Sequence, residues 1–493
     1  MAVHGRDRLG ALPDNALERI LSHLESDEAS RAAILSRRWR RVPDAVPVVD
    51  LVDAKIRPRR RDEKPVCFDQ QVTSAIMSKS PGTPIRVFRL HALHPPHDLL
   101  DQWMVIAASS GAEEVDVSLR YRHYSHRRLC PFGSSANASA DFPAKVRGGY
   151  NQTPRQLFRC GTLRRLRLTN WTLNLPRGGG GVAASLETLC LRRIMAPDGA
   201  LQQLLSICPR LADLTLEECP TATEITVTSA HLKSFAMICC HNARRVVLQT
   251  RRLRSLRYRG GLPRESSFFS IEYYDEVAAV TIDICEDLTG KEKKDAAPLT
   301  ELIGRCTKLT YLHLSLRPSM AYFSNELTAV ARSLRQLRQL VLKGFLGADV
   351  AVKSVAILLS NTKNLEVLTL YPQGPTPPKK KKEAYYYSDD DVESDAEVEP
   401  GSCVEDGVDH SWLTNSLWRM SIPCLGRSLK RITIAKYCGH ALDRILAQFL
   451  LSKATALHEF SVTLSAQLFP QKEEIAREFR SWRFNRRTTV TCS

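Results

Sequence analysis

Fourteen cysteines and thirteen histidines hold most of the reactive chemistry in this 493-residue sequence, and linear spacing gathers none of it. No C-x-x-C pair occurs and Cys239 and Cys240 are adjacent, so the usual zinc spacings are absent. Cys208, Cys219 and Cys306 fall at turns and helix ends, where cysteine serves as a small apolar side chain. No HExxH motif, Ser/His/Asp spacing or Cys/His pairing stands out, and Gly178–Gly181 lacks the Lys-Ser/Thr of a nucleotide cradle. No catalytic residue, metal ligand or cofactor is therefore expected. The chemistry on offer is of another kind: apolar anchors that dock, and polar residues held on a regular surface that select.

The anchors come first along the chain. Pro13 and Asp14 suit the first turn of a helix, and Leu17, Ile20, Leu21 and Leu24 follow at three- and four-residue steps, forming one stripe behind Leu12. Ser26 is placed to cap a second helix carrying Ile34 and Leu35, and Ser36 a third displaying Trp39, before Pro43 and Pro47 break the pattern. A module of about 40 residues has little core of its own. The stripe of the first helix is accordingly expected to be exposed and to need a partner. Five buried aliphatic side chains would contribute roughly 10 kcal/mol gross, at about 2 each, less the cost of association.

Beyond residue 80 a second pattern takes over: apolar-x-x-apolar-x-apolar. Leu163-Leu166-Leu168, Leu186-Leu189-Leu191 and Leu211-Leu214-Leu216 are clean copies, and the series runs on to Leu457-Phe460-Val462, with weaker copies from Ile85 and Ala112. Successive starts from Leu163 lie 21 to 32 residues apart, save one gap of 64. That period is the mark of a leucine-rich repeat. The last two apolar positions are two apart and face inward from a short strand; the residues between them face outward. Arg165, Arg167, Arg257, Arg259, Tyr311 and His313 are the outward residues nominated for binding a target, as a basic and aromatic surface suited to an acidic segment. Helical returns are expected at Ala200–Ile207, Leu299–Arg305, Glu326–Leu334, Val350–Leu359 and Leu442–Leu451; the 21-residue repeats at 221–260 are too short for them and should return extended or in tight turns.

The net charge of +17 is uneven: residues 373–410 carry four Lys and eleven Asp or Glu, a local −7, which leaves +24 elsewhere. This low-complexity stretch cannot bury enough area to order itself and is expected to be a disordered basic/acidic insertion; residues 120–155 form a second insertion. Lys379–Lys382 resembles a short nuclear import signal, and Ser388 and Ser394 precede acidic residues. A basic chain favours acidic partners, yet no recognition helix or aromatic-interleaved basic motif points to nucleic acid. No apolar run of 18 residues and no secretory leader is found, so no membrane partner is expected and a nuclear and/or cytoplasmic location fits best.

DRLGALPDNALERILSHLESDEASRAAILSRRWRRVP resembles an F-box, through Leu12-Pro13, Leu17, Ile20-Leu21, Leu24, Leu35-Ser36, Arg38 and Trp39. The whole chain resembles plant-type F-box/LRR proteins with an FBD-like C-terminal region, the latter through residues 422–440 and 478–493. The resemblance implies an α/β repeat fold: a small N-terminal three-helix F-box, then a leucine-rich-repeat solenoid with a curved, mainly parallel sheet and helices or extended returns on its convex side. The implied domains are an F-box at 7–45, a linker and connecting helix at 46–80, repeats at 81–372, the insertion at 373–410 and FBD-like C-terminal repeats at 411–493. The implied role is a non-catalytic substrate receptor of an SCF-type ubiquitin ligase. It would bind a Skp-family adaptor, and through it a cullin–RING ligase, with Leu12, Pro13, Leu17, Ile20, Leu21, Leu24, Leu35 and Trp39, and an unknown target protein with the repeat surface. A repeat scaffold that joins no ligase is the alternative.

Overall fold

The computed structural model describes residues 12–24, 26, 28–29, 46–56, 67–79, 83–121, 150–176, 183–197, 199–285, 296–319, 330–331, 333–345, 349–372 and 410–493. Packing divides these into two compact units, up to Leu232 and from Lys233 onward.

In the first unit, helix α1 (Asp14–Leu21) is followed by strands β1 (Val48–Val52), β2 (Val87–Leu93), β3 (Glu114–Arg120), β4 (Arg165–Thr169), β5 (Thr188–Arg192) and β6 (Asp213–Glu217), which form one parallel ladder in sequence order. β7 (Glu224–Val227) is the extended return after β6. Helices Phe68–Met77, His97–Ser109 and Ala200–Ser206 supply other returns; the first two bury Phe68, Val72, Leu100, Trp103 and Met104.

The second unit repeats the plan. β8 (Ser234–Ile238), β9 (Arg245–Leu248), β10 (Ser255–Gly260), β11 (Phe269–Ile271) and β12 (Ala279–Ile284) are followed by β13 (Tyr311–Ser319), β14 (Gln339–Phe345), β15 (Val367–Pro372), β16 (Arg431–Tyr437), β17 (Glu459–Leu464) and β18 (Thr489–Cys492). The parallel order is β8-β10-β12-β13-β14-β15-β16-β17-β18. β9 and β11 pair with each other, so the short repeats do return extended. Helices Ala297–Arg305, Asp349–Asn361 and Ala441–Lys453 fall where helical returns are expected.

The leucine motif explains the core. Every apolar triplet named above is buried, and Tyr258, the most exposed member of the whole series, is only 5% exposed. Each inward Leu contributes about 1.5–3 kcal/mol by burial, but only because the neighbouring strand covers it. The ladder also starts earlier than the sequence pattern indicates. Residues 46–80 are not only a linker: Val46, Val49 and Leu51 form one more buried triplet, and β1 pairs with β2 from Val48↔Val87 to Val52↔His91.

One backbone device recurs at the strand ends. His94, Asn170, Arg193, Glu218 and Cys239, each the first residue after a strand, have φ between 51° and 63°. The amides of His94, Asn170, Arg193 and Cys239 donate to Arg120 O, Arg192 O, Glu217 O and Arg259 O, carbonyls of the last or, for Arg259, the last but one residue of the next strand in the ladder. The left-handed turn thus adds one last inter-strand bond while the chain leaves the sheet, which offsets a backbone strain of about 1–3 kcal/mol.

Most of the second and all of the third F-box helix, Gly178–Gly181 and, His410 apart, the stretch 373–410 lie outside the described residues, as do 122–149 of the first insertion and most of Glu326–Leu334.

Candidate functional site: a docking helix and two outward sheet faces

α1 does not offer its whole stripe. Leu17 and Leu21 are buried, 0% and 1% exposed, in a cluster with Ala29, Val46 and Val48, against which Leu12, Leu24 and Val87 pack in part. The core that a short helical module lacks is supplied by β1 and β2, so these two leucines are side chains of the chain's own interior. Pro13 and Ile20 are exposed, Ile20 by 40%. Ser26 Oγ accepts the Asp50 N–H at 2.8 Å, a second tie between this region and β1. Leu35 and Trp39 lie outside the described residues.

Strand register brings the outward residues of the first unit into rungs. Asp50, Arg89, Asp116 and Arg167 are level on β1 to β4, as are Glu114 and Arg165 on β3 and β4. The charges alternate, and they pair. Arg89 reaches Asp50 at 3.2 Å and Glu114 at 2.8 Å; Arg165 reaches the other oxygen of Glu114 at 3.1 Å; Arg167 faces Asp116 at 3.6 Å, and Arg192 faces Glu217 at 3.4 Å. Burial pulls the Glu114 carboxyl up, but hydrogen bonds from Arg89 and Arg165 more than reverse this and hold it below its ordinary value. Burial dominates at Asp116 and raises it, against the lowering by His91 and Arg167. Arg165 and Arg167 are thus engaged within the chain rather than free for an acidic ligand. Behind this face, Arg193 and Glu218 form an ion pair with side chains 8% and 2% exposed.

The second unit differs. Arg257, Thr281 and His313 share one rung of β10, β12 and β13; Arg259, Asp283, Ser315 and Lys343 share the next, which extends to β14. Arg259 Nε lies 3.4 Å from Asp283 Oδ2. His313 Nε2, Ser315 Oγ and Asp283 Oδ1 are buried with no hydrogen-bond partner among the described residues. Desolvation lowers the His313 pKa, Lys343 and Arg257 lower it further, and Asp283 opposes them in part, so the imidazole is neutral at pH 7. Tyr311 is half-buried, and burial raises its hydroxyl pKa. Arg257 is exposed. Among the six nominated residues, Arg257, Arg259, Tyr311 and His313 therefore stand together on strands flanking β12, whereas Arg165 and Arg167 lie in the other unit. Asp283, Ser315 and Lys343 were not nominated. Aligning the outward positions of successive repeats would have found them.

The cysteines divide as well. Burial pushes Cys208 and Cys306 up to about 12, which suits inert packing. Cys239, His241 and Cys285, however, come together with ligand atoms all within 4.8 Å of one another. A cleft of about 410 Å³ in the first unit is lined by His97, Asp101, Gln152–Gln156, Arg159 and Asn174. Asn174 accepts from Arg155 and donates to Gln152, and its amide donates to Thr153 Oγ1, so these groups satisfy one another rather than converge on a substrate. Among the described residues no helix is long and apolar enough to cross a membrane.

Repeats that pair in parallel register, behind an N-terminal helix packed on the first strand, define a leucine-rich-repeat chain with an N-terminal helical module. Family comparison agrees with both parts. The F-box domain model matches residues 9–48, and the model described as "FBD-associated F-box protein At5g56370, LRR repeats" matches residues 141–272. The chain thus has an F-box domain and FBD-associated leucine-rich repeats. Its relatives in Arabidopsis thaliana include F-box/LRR-repeat protein At5g35995, 26% identical over 64% of this chain and 65% of that one. F-box/FBD/LRR-repeat protein At5g56420 is 27% identical over 48% of this chain and 50% of its own length. FBD-associated F-box protein At5g60610 is 22% identical over 93% of this chain and the whole of its own. The chain therefore spans less than two thirds of the first two relatives.

Proposed function

We propose that this chain is the substrate-recognition subunit of an SCF-type cullin–RING ubiquitin ligase. The observation that carries the proposal is an F-box match at residues 9–48 on a chain whose next elements are leucine-rich repeats. The F-box engages a Skp-family adaptor through Pro13 and Ile20, the exposed apolar side chains of α1, with the uncovered parts of Leu12 and Leu24, and through Leu35 and Trp39. Leu17 and Leu21 act indirectly, by fixing α1 on β1. The target meets the rungs of β10, β12 and β13, where Arg257, Tyr311 and His313 are joined by Asp283 and Ser315. Buried polar atoms without partners cost about 1–3 kcal/mol each, and a ligand that pairs them recovers that cost. Arg165 and Arg167 play a lesser part because Glu114 and Asp116 occupy them. The chain is a non-catalytic adaptor, at work in the nucleus or cytoplasm. In this reading β1 belongs with the repeats and the other domain bounds are those expected from the sequence pattern.

The burial of Leu17 and Leu21 favours a second reading, a repeat scaffold that joins no ligase, since it leaves α1 fewer apolar contacts to offer. A pulldown of purified Skp-type adaptor separates the two. The wild-type chain should retain the adaptor, and Ile20→Glu with Pro13→Ala should release it while circular dichroism stays unchanged. No retention by a folded wild-type chain would leave the scaffold.

A further inference from the structure

We propose that Cys239, His241 and Cys285 form a zinc site that ties the end of β8 to the end of β12. The inference is independent of the ligase reading. Cys239 is the left-handed residue that follows β8 (φ 53°), and Cys285 directly follows β12. Their amides are held on the strand between: Cys239 N–H donates to Arg259 O at 2.6 Å, and Cys285 N–H to Gly260 O at 3.0 Å. Gly260 ends that middle strand, level with Ile284, and so places no side chain between the two thiols; a Cβ there would meet the Tyr258 hydroxyl at 2.6 Å. The two cysteines are buried and His241 is partly exposed.

The donor set is that of a borderline-soft cation: two sulfurs and one imidazole nitrogen. Zinc bonds of about 2.3 Å to sulfur and about 2.0 Å to nitrogen put S and N roughly 3.5 Å apart in a tetrahedron. Cys285 Sγ lies 3.9 Å from His241 Nε2. With all three ligand atoms within 4.8 Å of one another, side-chain adjustments of up to about 1 Å bring the set to that spacing. Cys240 Sγ is directed to Ile238 O, 3.7 Å away, and is not part of the set. The fourth position is taken by water on the exposed side of His241. Binding converts both thiols to thiolates, releases two protons to solvent and leaves the imidazole neutral, so affinity falls with acidity.

The test uses the full-length chain, purified with a phosphine reductant, stripped of metal and titrated with cobalt(II). The expected result is one cobalt per chain, with thiolate-to-cobalt charge transfer and intense tetrahedral ligand-field bands, both abolished by zinc, and a zinc-dependent rise in Tm. Cys285→Ser should remove these signals. His241→Asn, at a partly exposed position that folding tolerates, should weaken binding by roughly 10- to 100-fold or more. Absence of tetrahedral cobalt bands in the reduced wild-type chain overturns the proposal, as do bands that persist undiminished in both variants. Loss of two free thiols without reductant, together with no metal binding when reduced, would instead make this pair a disulfide.

Discussion

The two units carry the same leucine motif inside and treat parts of their outer faces in opposite ways. Across the first, Asp50, Arg89, Glu114 and Arg165 make a continuous chain of ion pairs over four strands. In the second, Arg431 and Glu459 pair across β16 and β17, but over β10 to β13 Arg259 pairs with Asp283 alone among the outward carboxylates, and beside it His313 Nε2 and Ser315 Oγ stay buried without partners among the described residues. The contrast shows that the inward period sets the architecture while the outward residues decide what a rung is for. Alternating charge turns a face into part of the framework; unmet hydrogen-bonding capacity leaves it available to something else.

The contrast can be broken or sharpened by mutation. The largest effect belongs to the first unit's buried pair. Glu218→Ala removes a buried counter-charge from Arg193 and should cost about 3–5 kcal/mol in urea unfolding; a cost below about 1 kcal/mol would mean that this pair is not structural. The second unit has its own buried ionisable group, Asp443, pushed up to about 7 by burial although the His440 backbone amide pulls it down. A raised carboxyl stabilises the fold fully below its unfolded value near 3.8, and that contribution is lost as pH rises through 7. Asp443→Asn should therefore raise the urea midpoint at pH 8, change it little at pH 4 and flatten the profile between; an unaltered profile would remove Asp443 as its source. Next comes binding. Arg257→Glu with His313→Ala should lower target capture by about tenfold, or about 1.4 kcal/mol, while Arg165→Glu with Arg167→Glu should lower it less. The reverse order would move the target to the first sheet. Smallest is Arg165→Ala, which removes a 62%-exposed partner of Glu114 and should shift stability by about 0–1 kcal/mol.

The repeats were legible because their signal is local: three apolar residues within six positions, restated every few dozen residues. So were four of the five expected helical returns, the fifth, Glu326–Leu334, lying mostly outside the described residues; His97–Ser109 was not among them. β1 escaped because Pro47 interrupts its triplet of Val46, Val49 and Leu51, a charged stretch follows it and no triplet precedes it. The fate of Leu17 and Leu21 escaped for a related reason, since their cover comes from Val46 and Val48, whose place in the sheet has to be known first. The ion pairs and the cysteine–histidine cluster are non-local. Arg165 and Glu114 are 51 residues apart, and Cys285 and His241 are 44 apart. Only strand register makes such residues neighbours, and register is a property of the whole ladder.

α1 shares one hydrophobic cluster with β1, so no free tether separates the docking helix from the first rung. Any protein seated on α1 is held at a set distance and angle from that rung. Within the first unit, reach is thereby governed by geometry rather than by linker statistics.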